Sequence, residues 1–187
     1  MNSFVLIIFS ILISFSCAIK PVRKTPQTSK YLRSDWQHWS DSDGNCIDTR
    51  AEILKLRSLG PVEMNKNGCR VKTGKWKDYY YPETHTQASK VDIDHLVPLK
   101  HAHDFGAANW NKSQKEKFVN DPENLVITNR SYNRQKGAKA INEWLPRHKD
   151  YACKYVSDWV KIKKKYSLRL GDGEKNSIES LKTDCHF

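Results

Sequence analysis

Apolar and polar residues follow one another along this chain with two periods, and each period predicts one type of element. Residues 151–166 carry apolar side chains at helical spacing, which predicts the clearest helix of the chain. Residues 91–97 alternate between apolar and polar, and residues 123–128 hold a Leu-Val-Ile run, so both segments predict strands. Residues 129–137 fit a short helix. Residues 101–110 fit another, followed by a polar, lysine-rich loop.

Capping and turn residues predict further elements upstream. Thr49 and Glu52 form a capping-box pair, so we predict a helix over residues 48–59. Residues 69–81 are rich in aromatic and β-branched side chains and predict strands joined by a turn at Thr73-Gly74. This mixture of helices and short strands predicts an α+β fold.

The beginning of the chain predicts export. The apolar run over residues 4–15 is too short to span a bilayer, and Ser16-Cys17-Ala18 offers the small residues of a cleavage site. We therefore predict a signal peptide over residues 1–18, an extended lead-in over 19–40 and one domain over 41–187. The mature protein is then secreted, extracellular and free of the membrane. An uncleaved N-terminal anchor is the alternative, because no Lys or Arg precedes the apolar run.

The charge balance narrows the class of partner. The 187 residues carry a formal net charge of +11, which favours a polyanionic partner such as nucleic acid, an anionic glycan or an acidic membrane surface. Charge alone does not choose among these. The twenty aromatic residues (six Trp, eight Tyr and six Phe) exclude a wholly disordered chain.

The cysteines support export as well. Once the predicted signal peptide is removed, four cysteines remain, which is the pattern of two disulfides in a secreted domain. Four cysteines allow three pairings. We favour Cys46–Cys69 and Cys153–Cys185, because each pair closes a local loop. There is no CxxC pair, which argues against a structural zinc knuckle.

The candidate chemistry lies in the predicted strand–loop–strand–helix region. It comprises Asp94-His95, Asn124 and Asn133. Phosphodiester hydrolysis needs an activated water and a cation on the phosphate. A neutral histidine can accept the proton of the water, and one carboxylate oxygen with one amide oxygen can bind the cation. Successive strand residues point to opposite faces. Asp94 and His95 can therefore serve one site only at a strand end or bulge, which the nearby Pro98 favours.

These residues resemble the HNH, or ββα-metal, nuclease family. The match continues in Asp-His-Leu-Val-Pro-Leu, Asp-Pro-Glu-Asn-Leu, Asn-Arg-Gln-Lys-Gly and the flanking Trp and Cys residues, over roughly residues 46–185. This pattern is similar to a secreted branch of the family and to the C-terminal nuclease domain of GmrSD-type restriction enzymes. The resemblance implies that His95 is the general base and that Asp94 and Asn133 bind metal. It also implies that Asn124 steadies the loop between the strands.

The resemblance further implies a ββα-metal core with flanking helices, and one divalent cation, Mg²⁺ before Mn²⁺ or Ca²⁺. We expect a monomeric endonuclease that leaves 5′-phosphate ends on DNA, more than on RNA. A single basic domain without a base-reading module predicts little sequence specificity. We predict that four basic side chains contact the phosphate backbone: Arg130, Arg134, Lys136 and Lys139. The alternative is a secreted basic protein that binds nucleic acid or glycan on a non-catalytic HNH fold.

Overall fold

Six α-helices and two small antiparallel sheets form residues 30–185, the part of the chain that the computed structural model describes. The predicted signal peptide lies outside these residues. The helices are α1 (Thr49–Leu56), α2 (Leu99–Asp104), α3 (Lys112–Val119), α4 (Arg130–Lys136), α5 (Lys149–Lys165) and α6 (Asp172–Cys185). The strands are β1 (Glu63–Met64), β2 (Val71–Lys77), β3 (Thr84–Gln87), β4 (Val91–His95) and β5 (Leu125–Asn129). Within residues 30–185 no helix combines the length and apolarity that crossing a membrane requires. The α+β prediction is confirmed.

The centre of the fold is a ββα unit. Strands β4 and β5 pair antiparallel without a bulge, from Val91 opposite Asn129 to His95 opposite Leu125. Helix α4 begins directly after β5, where the Asn129 side chain caps it by accepting from the Ser131 N–H. The predicted order of strand, loop, strand and short helix is therefore present, and the helix lies beside both strands.

The second sheet has the order β1-β2-β3 and corrects one prediction. Thr73-Gly74 does not form a turn, because β2 runs through it, with its register to β3 shifting between Thr73 and Trp76. Gly74 is needed there because a Cβ atom would lie 2.4 Å from the Trp76 ring. The tyrosines that follow, Tyr79 to Tyr81, lie beyond the strand, and Tyr80 is fully buried.

Two helices are set by caps that the hydrophobic pattern does not show. Helix α1 is capped by Asp48, whose side chain accepts from the Ala51 N–H, and not by the predicted pair starting at Thr49. The segment predicted as a lysine-rich loop contains helix α3, which begins with a capping box between Asn111 and Gln114. Its only buried residues are the last two, so little apolar periodicity marks it in the sequence.

The core is formed by two clusters of buried side chains. The larger one packs α2, α3 and α5 on one side of the ββα unit and includes the predicted buried face of α5. It also contains Trp36, which is 1% exposed although it belongs to the predicted lead-in. The smaller cluster joins α1 and β2 to the other side of β4 and β5 through Ile53, Trp76, Ile93 and Ile127. The ββα unit is thus held between two apolar layers.

A buried ion cluster attaches α6 to α5 and α2. The Lys163 ammonium lies 2.7 Å from both carboxylate oxygens of Glu174 and 3.0 Å from the His101 ring. Glu174 also accepts from the Trp159 indole at 2.6 Å. Burial raises the pKa of Glu174, but the bonds from His101, Lys163 and a backbone N–H outweigh it and bring that pKa to about 2.

Both predicted disulfides are present. Cys46–Cys69 joins the start of α1 to the start of β2, and Cys153–Cys185 joins α5 to the end of α6. They close loops with sequence separations of 23 and 32 residues, so each is local to one end of the domain.

Candidate active site

Three of the four predicted site residues lie at one cleft beside the end of β4. Asp94, His95 and Asn133 all line a cleft of about 400 Å³, together with Tyr31, Arg33, Ile93, Pro98, Leu99, Lys100, Gly137 and Ala138. The sequence requires a strand end or a bulge for this arrangement. The pairing of β4 is regular up to His95, where the strand stops, so the strand end serves.

The His95 ring is held in one orientation by a backbone carbonyl. Its Nε2 lies 2.8 Å from the Val119 carbonyl oxygen. Because a carbonyl can only accept, Nε2 carries the proton, and Nδ1 of the neutral ring has a free lone pair. Burial lowers the pKa of His95 to about 3, and the cations Lys136 and Arg33 act in the same direction. The ring is therefore a neutral base at neutral pH.

The Asp94 carboxylate has one engaged oxygen and one available oxygen. Oδ2 accepts from the Tyr80 hydroxyl at 2.6 Å and lies 2.8 Å from the Lys136 ammonium. No side chain or backbone group among residues 30–185 hydrogen-bonds to Oδ1. Burial together with the adjacent carboxylate raises the pKa of Tyr80 well above its usual value, so this hydroxyl keeps its proton and donates. Asp94 is thus held through Oδ2, and Oδ1 is the oxygen left without a protein partner among residues 30–185.

Lys136 does not lie at the protein surface, where it would have to be to contact the phosphate backbone of nucleic acid. Its side chain is completely buried, because the last turn of α4 points it toward the end of β4. Besides pairing with Asp94, it donates to the His95 carbonyl oxygen at 2.8 Å. Burial lowers the pKa of Lys136 and the Asp94 carboxylate offsets part of this. The prediction that Lys136 contacts phosphate is therefore corrected. The Lys136 ammonium instead bridges the Asp94 carboxylate and the His95 carbonyl oxygen.

Asn133 is oriented by a carboxylate on the same strand as Asp94. Its Nδ2 donates to Asp92 Oδ2 at 3.0 Å, and Asp92 Oδ1 accepts from Arg130 Nε at 3.2 Å. Because a carboxylate at neutral pH only accepts, the amide nitrogen must face Asp92 and Oδ1 is the atom left over. Asn133 therefore offers an oxygen, as Asp94 does.

Asn124 supports the loop that leaves β4. It is fully buried and does not line the cleft; its Oδ1 accepts from the Val97 N–H at 2.9 Å. Its own carbonyl accepts from the Leu96 N–H at 2.8 Å. These bonds hold residues 96–97 in place directly after His95. They are the contacts expected of a residue that steadies the loop.

The other three basic side chains that we predict to contact the phosphate backbone of nucleic acid are exposed. Arg130 pairs with Asp92, and Lys139 donates to the Gln135 carbonyl oxygen at 2.9 Å. Arg134 makes no hydrogen bond or ion pair with its side chain to any residue that the structure describes. Their contact with phosphate stays a prediction.

Sequence reasoning missed two residues that act on this site. Tyr80 donates to Asp94, and the Trp39 ring lies against the His95 ring, with centroids 6.1 Å apart and planes 22° from parallel. Trp39 belongs to the predicted lead-in, and Tyr80 to a segment predicted as strand. Both contacts join parts of the chain that are distant in sequence, and no local pattern marks them.

The available atoms fit a hard divalent cation. Asp94 Oδ1 and Asn133 Oδ1 are oxygen ligands, which Mg²⁺, Mn²⁺ and Ca²⁺ prefer, and two protein ligands leave positions for water and phosphate. A second group, Asp78, Glu83 and His85, brings three ligand atoms within 4.8 Å of one another. There, however, both Asp78 oxygens already accept hydrogen bonds, from the backbone and from Thr128. The Asp78 carboxylate is therefore already engaged in the fold, whereas Asp94 Oδ1 and Asn133 Oδ1 accept no hydrogen bond within residues 30–185.

Comparison with known proteins agrees with this geometry. The model of the family described as GmrSD restriction endonucleases, C-terminal domain, matches residues 48–176. A protein of Arthroderma benhamiae, described as an uncharacterized secreted protein, is 35% identical over 166 residues, which cover 88% of this chain and 80% of that protein. No solved structure matches the chain.

Proposed function

This chain belongs to the family of the GmrSD restriction endonuclease C-terminal domain, an HNH-type nuclease domain, and from this premise we propose that it is a secreted, metal-dependent endonuclease. One observation carries the proposal. Asp94, His95 and Asn133 meet at one cleft, and each is held by other groups so that a single atom is left for chemistry. Secretion is supported by the description of the Arthroderma benhamiae relative.

His95 performs the proton transfer in the proposed mechanism. Its Nδ1 takes a proton from a water molecule, whose oxygen attacks the phosphorus in line. The bond between phosphorus and the 3′ oxygen breaks, and the phosphate stays on the 5′ oxygen of the downstream nucleotide. The departing 3′ oxygen takes a proton from solvent and becomes a 3′ hydroxyl. The hydrogen bond to the Val119 carbonyl keeps the ring in the required tautomer during this step and stabilises the charge that the ring acquires.

Asp94 and Asn133 hold the cation, Mg²⁺ in preference to Mn²⁺ or Ca²⁺. When bound, the cation supplies charge neutralisation on the phosphate and on the departing 3′ oxygen. Tyr80 and Lys136 are positioning residues, because they fix Asp94 without facing the substrate. Lys136 and Asp94 together carry no net charge, so we expect weak cation binding in the free protein and stronger binding once a substrate phosphate adds its charge.

The net charge and the absence of a base-reading module in the sequence support cleavage with little sequence specificity. DNA is the expected substrate, and RNA is tested beside it. The exposed Arg130, Arg134 and Lys139 would contact the phosphate backbone near α4.

Digestion of plasmid DNA and of total RNA by the disulfide-bonded mature chain tests the proposal. We expect cleavage with Mg²⁺ or Mn²⁺ that EDTA stops. His95→Ala should lower the rate by about 10²- to 10⁴-fold, as removal of a general base does. His148→Ala is the matched control, because His148 is exposed and does not line the cleft. Products with 5′-phosphate ends are substrates for DNA ligase without prior phosphorylation.

Two outcomes would contradict the proposal. A folded wild type that cuts neither substrate with metal present, but still binds nucleic acid in a salt-sensitive way, leaves the basic binding protein as the function. Cleavage by His95→Ala at the wild-type rate leaves an endonuclease whose base is another residue.

A further inference from the structure

Tyr31 and Arg33 line the active-site cleft. They belong to residues 31–40, which precede the matched family residues 48–176. This segment is firmly attached to the domain. Trp36 is 1% exposed and packs in the larger core cluster. The side chain of Asn120 accepts from the Trp39 N–H at 3.0 Å and donates to the Gln37 carbonyl oxygen at 3.0 Å. The segment is therefore a fixed part of the site.

The turn that ends α3 holds both this segment and the catalytic histidine. Val119 accepts from the His95 ring, and the next residue, Asn120, makes the bonds to residues 37–40. The Trp39 ring also lies on the His95 ring. The backbone of residues 37–40 thus has a set position relative to His95.

The group that they present is a cation. Arg33 lines the cleft with Asp94, His95 and Asn133, and it is exposed. Its guanidinium makes no hydrogen bond or ion pair with any of residues 30–185. Lys100, which also lines the cleft, is compensated, because it lies 2.6 Å from an Asp104 oxygen. The buried Lys136 is paired with Asp94.

We propose that Arg33 forms a phosphate-binding subsite of this cleft, which takes a phosphate of the substrate strand next to the one that is cut. This inference rests on the proposed function. A guanidinium offers five N–H donors in a planar fork that matches two phosphate oxygens, and an exposed Arg gains most from such a partner when no carboxylate competes for it. An exposed guanidinium beside the base also raises the local concentration of a polyanion.

With this subsite, two separate parts of the chain contact the same nucleic-acid strand. Helix α4 supplies Arg130 and Arg134 from the residues around one metal ligand, while Arg33 comes from a segment far away in sequence. A phosphate contact from each part of the chain would fix the strand's direction across His95. That orientation is what in-line attack requires of a substrate.

Binding measurements on the full mature chain in EDTA, which prevents cleavage, test the subsite. The probe is a short fluorescein-labelled DNA duplex, titrated at several salt concentrations. Arg33→Gln should weaken binding by about tenfold, as loss of one charge-assisted hydrogen-bonded pair does. The slope of log K against log salt should fall by about 0.9, the value for one phosphate contact on duplex DNA. Arg147→Gln is the matched control, because Arg147 is exposed and away from the cleft.

On a duplex too short to offer more than one binding register, a single neutral methylphosphonate identifies the contact itself. At one position beside the cut, the neutral group should weaken binding of the wild type by about the same tenfold factor. It should have no further effect on Arg33→Gln. Equal losses in both proteins at every position would overturn the subsite, since Arg33 would then act only through its general charge.

The remaining outcomes separate this inference from the proposed function. A wild type that cleaves while Arg33→Gln keeps the same affinity and salt slope overturns the subsite and leaves the nuclease. A wild type that binds but does not cleave, with the expected loss in Arg33→Gln, overturns the nuclease and keeps a phosphate site at Arg33. A wild type that binds no nucleic acid overturns both. Thermal denaturation of each variant shows that the fold is intact.

Discussion

Replacing Lys136 by Met tests how the cleft is organised. Methionine has a similar length and no charge, so it fills the same buried space without pairing with Asp94. The Asp94 carboxylate then keeps only the Tyr80 hydroxyl as a donor, and the His95 carbonyl loses its bond to the ammonium. We expect two opposite effects. The fold becomes less stable, and a cation binds more strongly.

The magnitudes follow from the geometry. Removing one partner of a buried ion pair costs about 3–5 kcal/mol, and the remaining Tyr80 bond places this loss at about 3 kcal/mol. In a chain of this length, 1 kcal/mol shifts the Tm by about 2–4 °C, so the Tm of Lys136→Met should fall by about 6–12 °C. Because Asp94 is no longer neutralised in Lys136→Met, Mg²⁺ should restore part of the lost stability. A ligand at about 100 times its Kd adds about 2.7 kcal/mol to the free energy of unfolding.

Thermal denaturation with EDTA and with increasing Mg²⁺ measures both effects. The matched control is Lys139→Met, because Lys139 is exposed near the end of the same helix and only donates to a backbone carbonyl. Its stability should stay within about 0.5 kcal/mol of the wild type. If Lys136→Met melts at the wild-type temperature in EDTA, the buried pair does not stabilise the site. If Mg²⁺ stabilises the variant no more than the wild type, Asp94 is not the ligand we infer.

Two further predictions concern groups outside the cleft. Asn124→Ala leaves the buried Val97 N–H without an acceptor and should cost about 2 kcal/mol in urea denaturation, while a cost below about 0.5 kcal/mol would contradict the role of Asn124 in the loop. Glu174 has a folded pKa of about 2 against an unfolded value of 4.5, so its contribution is present above about pH 4.5 and is lost as the pH falls toward 2. It should amount to about 3 kcal/mol. Glu174→Gln should flatten the Tm profile over that range, and an equally steep profile would show that the bonds from Lys163 and His101 do not lower this pKa.

The elements around the site could be predicted from the sequence because their patterns are local and strong. Alternation along β4 and the helical face of α5 arise from burial of apolar side chains on one side, and the apolar run of β5 arises from burial on both faces. The disulfides could be predicted because loop closure favours near neighbours in sequence. Helix α3 could not, since only Phe118 and Val119 at its end are buried. The turn predicted at Gly74 is absent, because a glycine that permits close packing looks the same in sequence as one that permits a turn.

The contacts that make the site work are mostly tertiary. The sequence indicates Asp94, His95 and Asn133 as the chemical groups, but nothing local shows that Tyr80 and Lys136 hold Asp94. A lysine in a polar helix is expected to be solvated. The burial of the Lys136 side chain at the end of β4 depends on how α4 packs, which no local pattern shows. The same limit applies to residues 31–40. Prolines precede this segment and its composition is polar, so the sequence does not indicate that Trp36 is buried.

The positions of the two disulfides have a consequence for how the chain matures. The stretch between Cys69 and Cys153, which includes the whole ββα unit, contains no cysteine. Of all possible pairs among the four, the two that form have the smallest sequence separations, so their loops close at the lowest entropic cost. We therefore expect these two bonds to form ahead of the mispaired ones during oxidation. The ββα unit between them would then assemble by packing alone, without reshuffling of disulfides.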